Sequence, residues 1–125
     1  SYNANIDSMR AAVAALEAIG KGRRTIAVLS EMLELGEDSP ATHRAVGAML
    51  SGAGVDALIG LGRDAHYYSE GAASVPDRVL VEDPGAALAA VLDRLTDDCV
   101  VLVKGSYNSY SWQVADGLLE EATTR

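Results

Sequence analysis

A chain of 125 residues that is 49% hydrophobic can bury one real core, and nothing in it reads as low-complexity or linker. Its 18 acidic and 10 basic residues give a net charge of −8, which opposes binding to nucleic acid or an anionic membrane; any phosphate must be held by local groups. No apolar run approaches the roughly 18 residues needed to span a bilayer, no basic-then-apolar leader opens the chain, and one cysteine, Cys99, permits neither an internal disulfide nor a multi-cysteine metal site, so a cytoplasmic protein is expected.

The opening SYNANIDSM (Ser1–Met9) sets two asparagines in a polar run ahead of a helical pattern. Asparagine suits the exit from a strand into a helix, because its amide caps free N–H groups and tolerates unusual backbone angles. Met9, Ala12, Val13, Leu16 and Ile19 then recur at helical spacing and predict one apolar face. With no strand ahead of this loop, the chain reads as cut from something longer. TIAVLS (Thr25–Ser30) is a buried strand, followed by a loop and a helix with Ser39 as N-cap and Pro40 as its first residue, running to about Gly52. ALIGLG (Ala57–Gly62) is the second strand and Arg63–Ala73 the next helix. RVLVE (Arg78–Glu82) is the third strand. Asp83-Pro84 starts a helix with Leu88, Val91, Leu92 and Leu95 on one side. CVVLVKGS (Cys99–Ser106) is the last clear strand, with Cys99 read as a buried, inert thiol, and Trp112–Ala122 is a closing helix. Strands alternating with helices imply right-handed βαβ units, so the expected fold is a three-layer, Rossmann-like α/β domain with a mainly parallel sheet of five or six strands.

Familiar chemical signatures are missing. GLGRDA (Gly60–Ala65) lacks the G-x-G-x-x-G spacing, no G-x-x-x-x-G-K-[ST] loop occurs, and Gly60 and Gly62 read as turn glycines. His43 and His66 have no zinc-type partner spacing, and no G-x-S-x-G elbow marks a nucleophile. The acidic runs, Glu31 to Asp38, Glu82-Asp83 and Asp97-Asp98, read as solvated turns and helix starts. Three loops share one sheet edge if the strands are parallel: SYNAN, Ser30 to His43, and KGSYNSYS (Lys104–Ser111).

YNAN followed by DSM, then IAVLSEMLELG with His43-Arg44, then VLVKGS, in that order and across the whole chain, resembles the C-terminal domain of the Mur ligase family, in its MurF type. The resemblance implies a three-domain enzyme of peptidoglycan synthesis. An N-terminal domain takes the UDP-sugar substrate, a central ATPase carries the P-loop and magnesium, and the present residues, 1–125, form the third domain that closes over both. It also implies the substrates: ATP, a UDP-N-acetylmuramoyl-tripeptide and D-alanyl-D-alanine, joined through an acyl phosphate. Carried onto this sequence, it makes Tyr2, Asn3 and Asn5 candidate contacts to the nucleotide, although Asn5 serves equally as a helix cap. Lys104, Gly105, Ser106 and Tyr107 become candidates for holding the incoming dipeptide. No residue of the chain is assigned a metal or a covalent catalytic role, and the domain alone is expected to be inactive.

Two departures stand out. KGS is usually followed by arginine in the family and here by Tyr107, and SEM (Ser30–Met32) replaces the commoner glycine-aspartate-methionine. A relative that joins other amino acids, a binding module without ligase activity, and a purely structural or interaction domain therefore stay open on the sequence.

Overall fold

The computed structural model describes residues 5–105. Tyr2, Asn3, Ser106, Tyr107 and the expected helix Trp112–Ala122 lie outside them. The elements are α1 (Ile6–Ile19), β1 (Arg24–Ser30), α2 (Ser39–Gly52), β2 (Ala57–Leu61), α3 (His66–Gly71), β3 (Asp77–Val81), α4 (Pro84–Leu92) and β4 (Cys99–Lys104), with short 3-10 turns at Gly36–Asp38 and Arg63–Ala65. The four strands are the four apolar runs of the sequence, and every pairing is parallel, in the order β3-β2-β1-β4. Five or six strands were expected; among the described residues there are four, because the segments between the apolar runs are helix or turn.

β1 is buried from Thr25 to Ser30, which explains why its sequence does not alternate: both of its faces are covered. Ala27 and Leu29 pack with Met9, Val13 and Leu16 of α1, Val46 and Leu50 of α2, and Tyr68 of α3. Ile26 and Val28 pack on the other face with Ala87, Ala90 and Val91 of α4. Helices therefore form two layers around the sheet, three on one face and one on the other, as the three-layer reading expects.

Several local expectations are corrected. In α1, Ile19 is 60% exposed: it is the last residue of the helix, and the buried line of α1 is Met9, Val13 and Leu16. The buried line of α4 is Ala87, Ala90 and Val91 rather than the leucines, since small side chains let the helix backbone approach β1 and β2; Leu88, Leu92 and Leu95 are only partly covered. Arg63–Ala73 divides into a 3-10 turn and a six-residue helix. Ser39 is the first residue of α2 and makes no capping bond; Asp38 occupies the N-cap position. β4 lies at the sheet edge among the described strands, so its residues, Cys99 included, are half-buried rather than buried.

The connections decide where a ligand can go. β1, α2, β2, α3 and β3 step outward along one face, and α4 then returns over the opposite face to set β4 on the other side of β1. The order of strands reverses between β1 and β4. At such a switch point the loops leaving neighbouring strands diverge, and a crevice opens beyond the carboxyl ends.

Candidate functional site

Three segments converge on that crevice. Lys104 ends β4 and Gly105 follows it, and Lys104 pairs in register with Leu29, one residue short of the end of β1. The loop from Glu31 to Asp38 leaves β1 directly opposite. The third segment is the start of α1. A 14-residue helix is about 21 Å long, close to the length of a seven-residue strand, and only Gly20–Arg23 separate α1 from β1. α1 therefore runs back along the sheet beside β4, and its first turn lies at the carboxyl edge. The structure thus brings Asn5, Lys104 and Gly105 to one edge, as expected from the sequence.

Asn5 caps α1 in a capping box. Its Oδ1 accepts the Ser8 N–H at 2.9 Å, and the Asn5 N–H donates to Ser8 Oγ at 3.0 Å. The cap uses the amide oxygen.

The β1–α2 loop is held from beneath. The Glu31 N–H donates to the Leu61 carbonyl at 3.1 Å, and its carboxylate reaches across to the β2–α3 turn, where Oε2 accepts the Asp64 N–H at 2.9 Å. The expectation of a solvated turn fails for Glu31, which is partly buried. Its side chain lies over Gly62, whose φ of 112° suits only glycine and where any Cβ would come within 2.9 Å of Glu31 Oε1. Met32 N–H donates to Nε2 of fully buried His43 at 2.9 Å. Because an amide N–H can only donate, Nε2 carries no proton and Nδ1 does; Nδ1–H donates to the Ser39 carbonyl at 2.7 Å. Ser39 Oγ donates to Asp64 Oδ2 at 2.8 Å. Burial is the main cause lowering the His43 pKa below its ordinary value; the Ser39 carbonyl, Asp64 and Glu31 oppose it, and His66 adds slightly to it. Tyr68 packs against the His43 ring at 4.7 Å and donates its hydroxyl to the Ser30 carbonyl at 2.9 Å. Burial first, and the Glu31 charge second, raise the Tyr68 pKa and keep that donor protonated.

The sequence reading missed this chain of contacts. Its visible trace was the four-residue spacing of Ser39 and His43 on a helix, which places both on one face.

Above these contacts the loop encloses a recess of about 230 Å³ between Glu31–Gly36, Ser39, Arg63 and Asp64. A neighbouring recess of about 430 Å³ lies beyond Gly62 and Arg63, floored by Leu80 and Val81. Arg63 borders both. Lys104 and Arg63 thus place cationic groups along an edge of a strongly acidic chain, a layout able to orient an anion. No three His, Cys, Asp or Glu side chains gather to hold a metal ion among the described residues. The loop bends through Glu34, whose φ of 66° is left-handed and costs a side-chain-bearing residue about 1–2 kcal/mol. Glu34→Gly, after the added backbone entropy of glycine is subtracted, is expected to stabilise the chain by about 0.5 kcal/mol, visible as a higher urea midpoint; a clear loss of stability would show that Glu34 makes a compensating contact.

Comparison with known proteins shows the family. Residues 1–107 match the family described as Mur ligase, glutamate ligase domain. The chain is 36% identical to the UDP-N-acetylmuramoyl-tripeptide–D-alanyl-D-alanine ligase of Mycobacterium leprae, over 100% of this chain and 28% of that protein. It is 33% identical to the ligase of the same name from Escherichia coli K12, over 98% of this chain and 26% of that one. Among solved structures, MurF from Acinetobacter baumannii superposes with a TM-score of 0.83 at 26% identity, covering 96% of this chain and 27% of that one. MurF ligase from Thermotoga maritima in complex with ADP shares the fold with a TM-score of 0.78 at 24% identity, over 100% of this chain and 28% of that one. The chain spans little more than a quarter of the length of these relatives. A family match across most of the chain, together with relatives more than 30% identical over nearly its whole length, shows that this chain belongs to the Mur ligase family.

Proposed function

We propose that residues 1–125 are the C-terminal, closing domain of a larger cytoplasmic ATP-dependent ligase of peptidoglycan precursor synthesis, which joins D-alanyl-D-alanine to a UDP-N-acetylmuramoyl-tripeptide. The observation that carries this reading is the match of nearly the whole chain to several ligases of that one name. In the reaction, the tripeptide carboxylate attacks the γ-phosphorus of ATP, giving an acyl phosphate and ADP. The dipeptide amine then attacks the acyl carbon, phosphate leaves, and the amine proton passes to solvent or base.

That chemistry needs positioning, charge neutralisation and exclusion of water more than a nucleophile from the protein. Lys104, at the carboxyl end of β4, offers an ammonium to the dipeptide carboxylate, with Gly105, Ser106 and Tyr107 completing that contact. Tyr2, Asn3 and Asn5, around the start of α1, face the nucleotide; a relative of the same fold was solved with ADP. In this reading magnesium is held mainly by the central domain of the parent protein, and the N-terminal and central domains are the partners over which this domain closes.

The full-length parent, given UDP-N-acetylmuramoyl-tripeptide, D-alanyl-D-alanine and Mg-ATP, is expected to release ADP only when both substrates are present, and residues 1–125 alone to release none. Full-length protein without dipeptide-dependent ADP release would reject the reading. Asn5→Ser keeps a capping oxygen and removes the amide; it is expected to hold stability within about 0.5 kcal/mol and raise KM for ATP about tenfold, a loss of about 1.4 kcal/mol. An unchanged KM would return Asn5 to helix capping alone.

A further inference from the structure

We propose that His43 is a positioning residue for the β1–α2 loop, acting from inside the domain on the backbone that walls the ligand crevice. The assignment rests on the ligase reading above for its kinetic part and on geometry for the rest.

His43 is fully buried and lines neither recess beside the loop, so it does not meet a substrate itself. Its ring is nevertheless placed where the loop departs. Met32 is the second residue after β1, and its N–H is held by Nε2 at 2.9 Å; the opposite ring edge is fixed on the Ser39 carbonyl at 2.7 Å, at the far end of the same loop. One rigid side chain therefore spans the two ends of the segment from Met32 to Ser39 and sets its closure. The contact extends further. Ser39 Oγ donates to Asp64 Oδ2, and the Asp64 N–H donates to Glu31 Oε2, so the path returns to the residue preceding Met32. Met32, His43, Ser39, Asp64 and Glu31 form a closed circuit joining the β1–α2 loop, the first turns of α2 and the β2–α3 turn. The β1–α2 loop, which walls the crevice, and the β2–α3 turn, which carries Arg63, move as one unit only while that circuit holds.

The circuit works with a neutral ring alone. A second proton would sit on Nε2 and face the Met32 N–H, two donors with no acceptor between them, and the loop contact would break. The groups facing the ring are Glu31 from the end of β1, Asp64 from the β2–α3 turn, His66 at the start of α3, and Tyr68, whose ring packs on it. The acids favour protonation, but burial prevails and keeps the ring neutral near neutral pH. For a base whose folded pKa lies below its unfolded value of about 6.5, the stabilising contribution is complete above that value and is lost as pH falls through the lower folded one.

The test uses the full-length parent protein. His43→Leu preserves bulk but accepts no hydrogen bond; it should lower kcat at least tenfold, with KM for ATP changed less than threefold. His43→Gln offers a carbonyl oxygen that cannot titrate; it should restore kcat to within threefold of the parent and move the acid-side fall of kcat to lower pH. Nitrogen-15 histidine spectra of the parent should show His43 as the Nδ1–H tautomer between pH 6 and 8. Unaltered kcat in His43→Leu, a His43→Gln variant with neither rescue nor a displaced acid limb, or an Nε2–H tautomer would overturn the proposal. If His43→Leu does not fold, His43→Gln and the tautomer decide. If the parent shows no dipeptide-dependent ADP release, the ligase reading fails while the tautomer still tests the geometry.

Discussion

Gly47→Ala is expected to remove about 3 kcal/mol of stability. α2 and α3 cross with their backbones in contact: a Cβ on Gly47 would fall against the Tyr68 carbonyl oxygen and lie 2.9 Å from Ala72 N, and a Cβ on Gly71 would strike the backbone of Arg44 in return. These are main-chain atoms, so no rotamer change relieves the clash, and the helices must separate. Separation loosens Val46, Leu50 and Tyr68 from the larger core. Overpacking of this kind costs about 1–3 kcal/mol, and a collision with backbone belongs at the upper end. Against a total of roughly 5–15 kcal/mol for a domain, that is a large share. Gly52→Ala is the control. It lies in the same helix with nothing within 4 Å of the added carbon, and it should stabilise by about 0.5–1 kcal/mol through helix propensity. Urea titration of both variants checks the pair, and a Gly47→Ala protein as stable as the parent would mean that the helices are farther apart than described.

If the full-length parent is the ligase proposed above, its Lys104→Ala variant is expected to raise KM for D-alanyl-D-alanine tenfold to a hundredfold and to change the ATP dependence little. A charge-assisted hydrogen bond between ammonium and carboxylate contributes about 1.5–3 kcal/mol, and each 1.4 kcal/mol is a factor of ten. The placement agrees with that assignment: β4 runs through half-buried apolar residues and ends at Lys104, in register with Leu29 near the carboxyl end of β1. Steady-state kinetics with each substrate varied in turn separate the possibilities. A parallel rise in KM for ATP and dipeptide would point to a failure of domain closure, and no change in either would remove Lys104 from the site.

The inner strands were legible because parallel strands covered on both faces need continuous apolar runs, and TIAVLS and ALIGL are such runs; the edge strands β3 and β4 are less buried and were legible from RVLVE and CVVLV between helical segments. The edge that gathers Asn5 and Lys104 was legible for the same reason, since a βαβ order fixes which ends of the strands face the same way. What the sequence concealed depended on approach distances. Leu88 and Leu92 have the greater hydrophobicity, but Ala87 and Ala90 face the sheet, because the closeness of α4 selects side-chain size as well as polarity. His43 read as an isolated histidine without zinc partners; its partners are a backbone N–H and a backbone carbonyl, which no residue-type spacing reveals. Glu31 read as part of an acidic, solvated turn, and its bond to the Asp64 N–H joins positions in separate loops.

The strand order has a consequence for how the chain reaches its native state. Of the four described strands β1 is made first and β4 last, yet they are direct neighbours. On a ribosome, β2 and β3 can dock on one side of β1 as they emerge, while its other flank, bearing fully buried Ile26 to Leu29, stays without a hydrogen-bonding partner until β4 has cleared the exit tunnel. Pairing between strands so distant in sequence closes a long loop and is slow to nucleate. Through that interval the nascent domain carries an open, apolar strand edge, the kind of surface on which chains aggregate or swap segments. Substitutions that weaken β4 should accordingly reduce the yield of folded protein by more than their effect on the finished domain's stability.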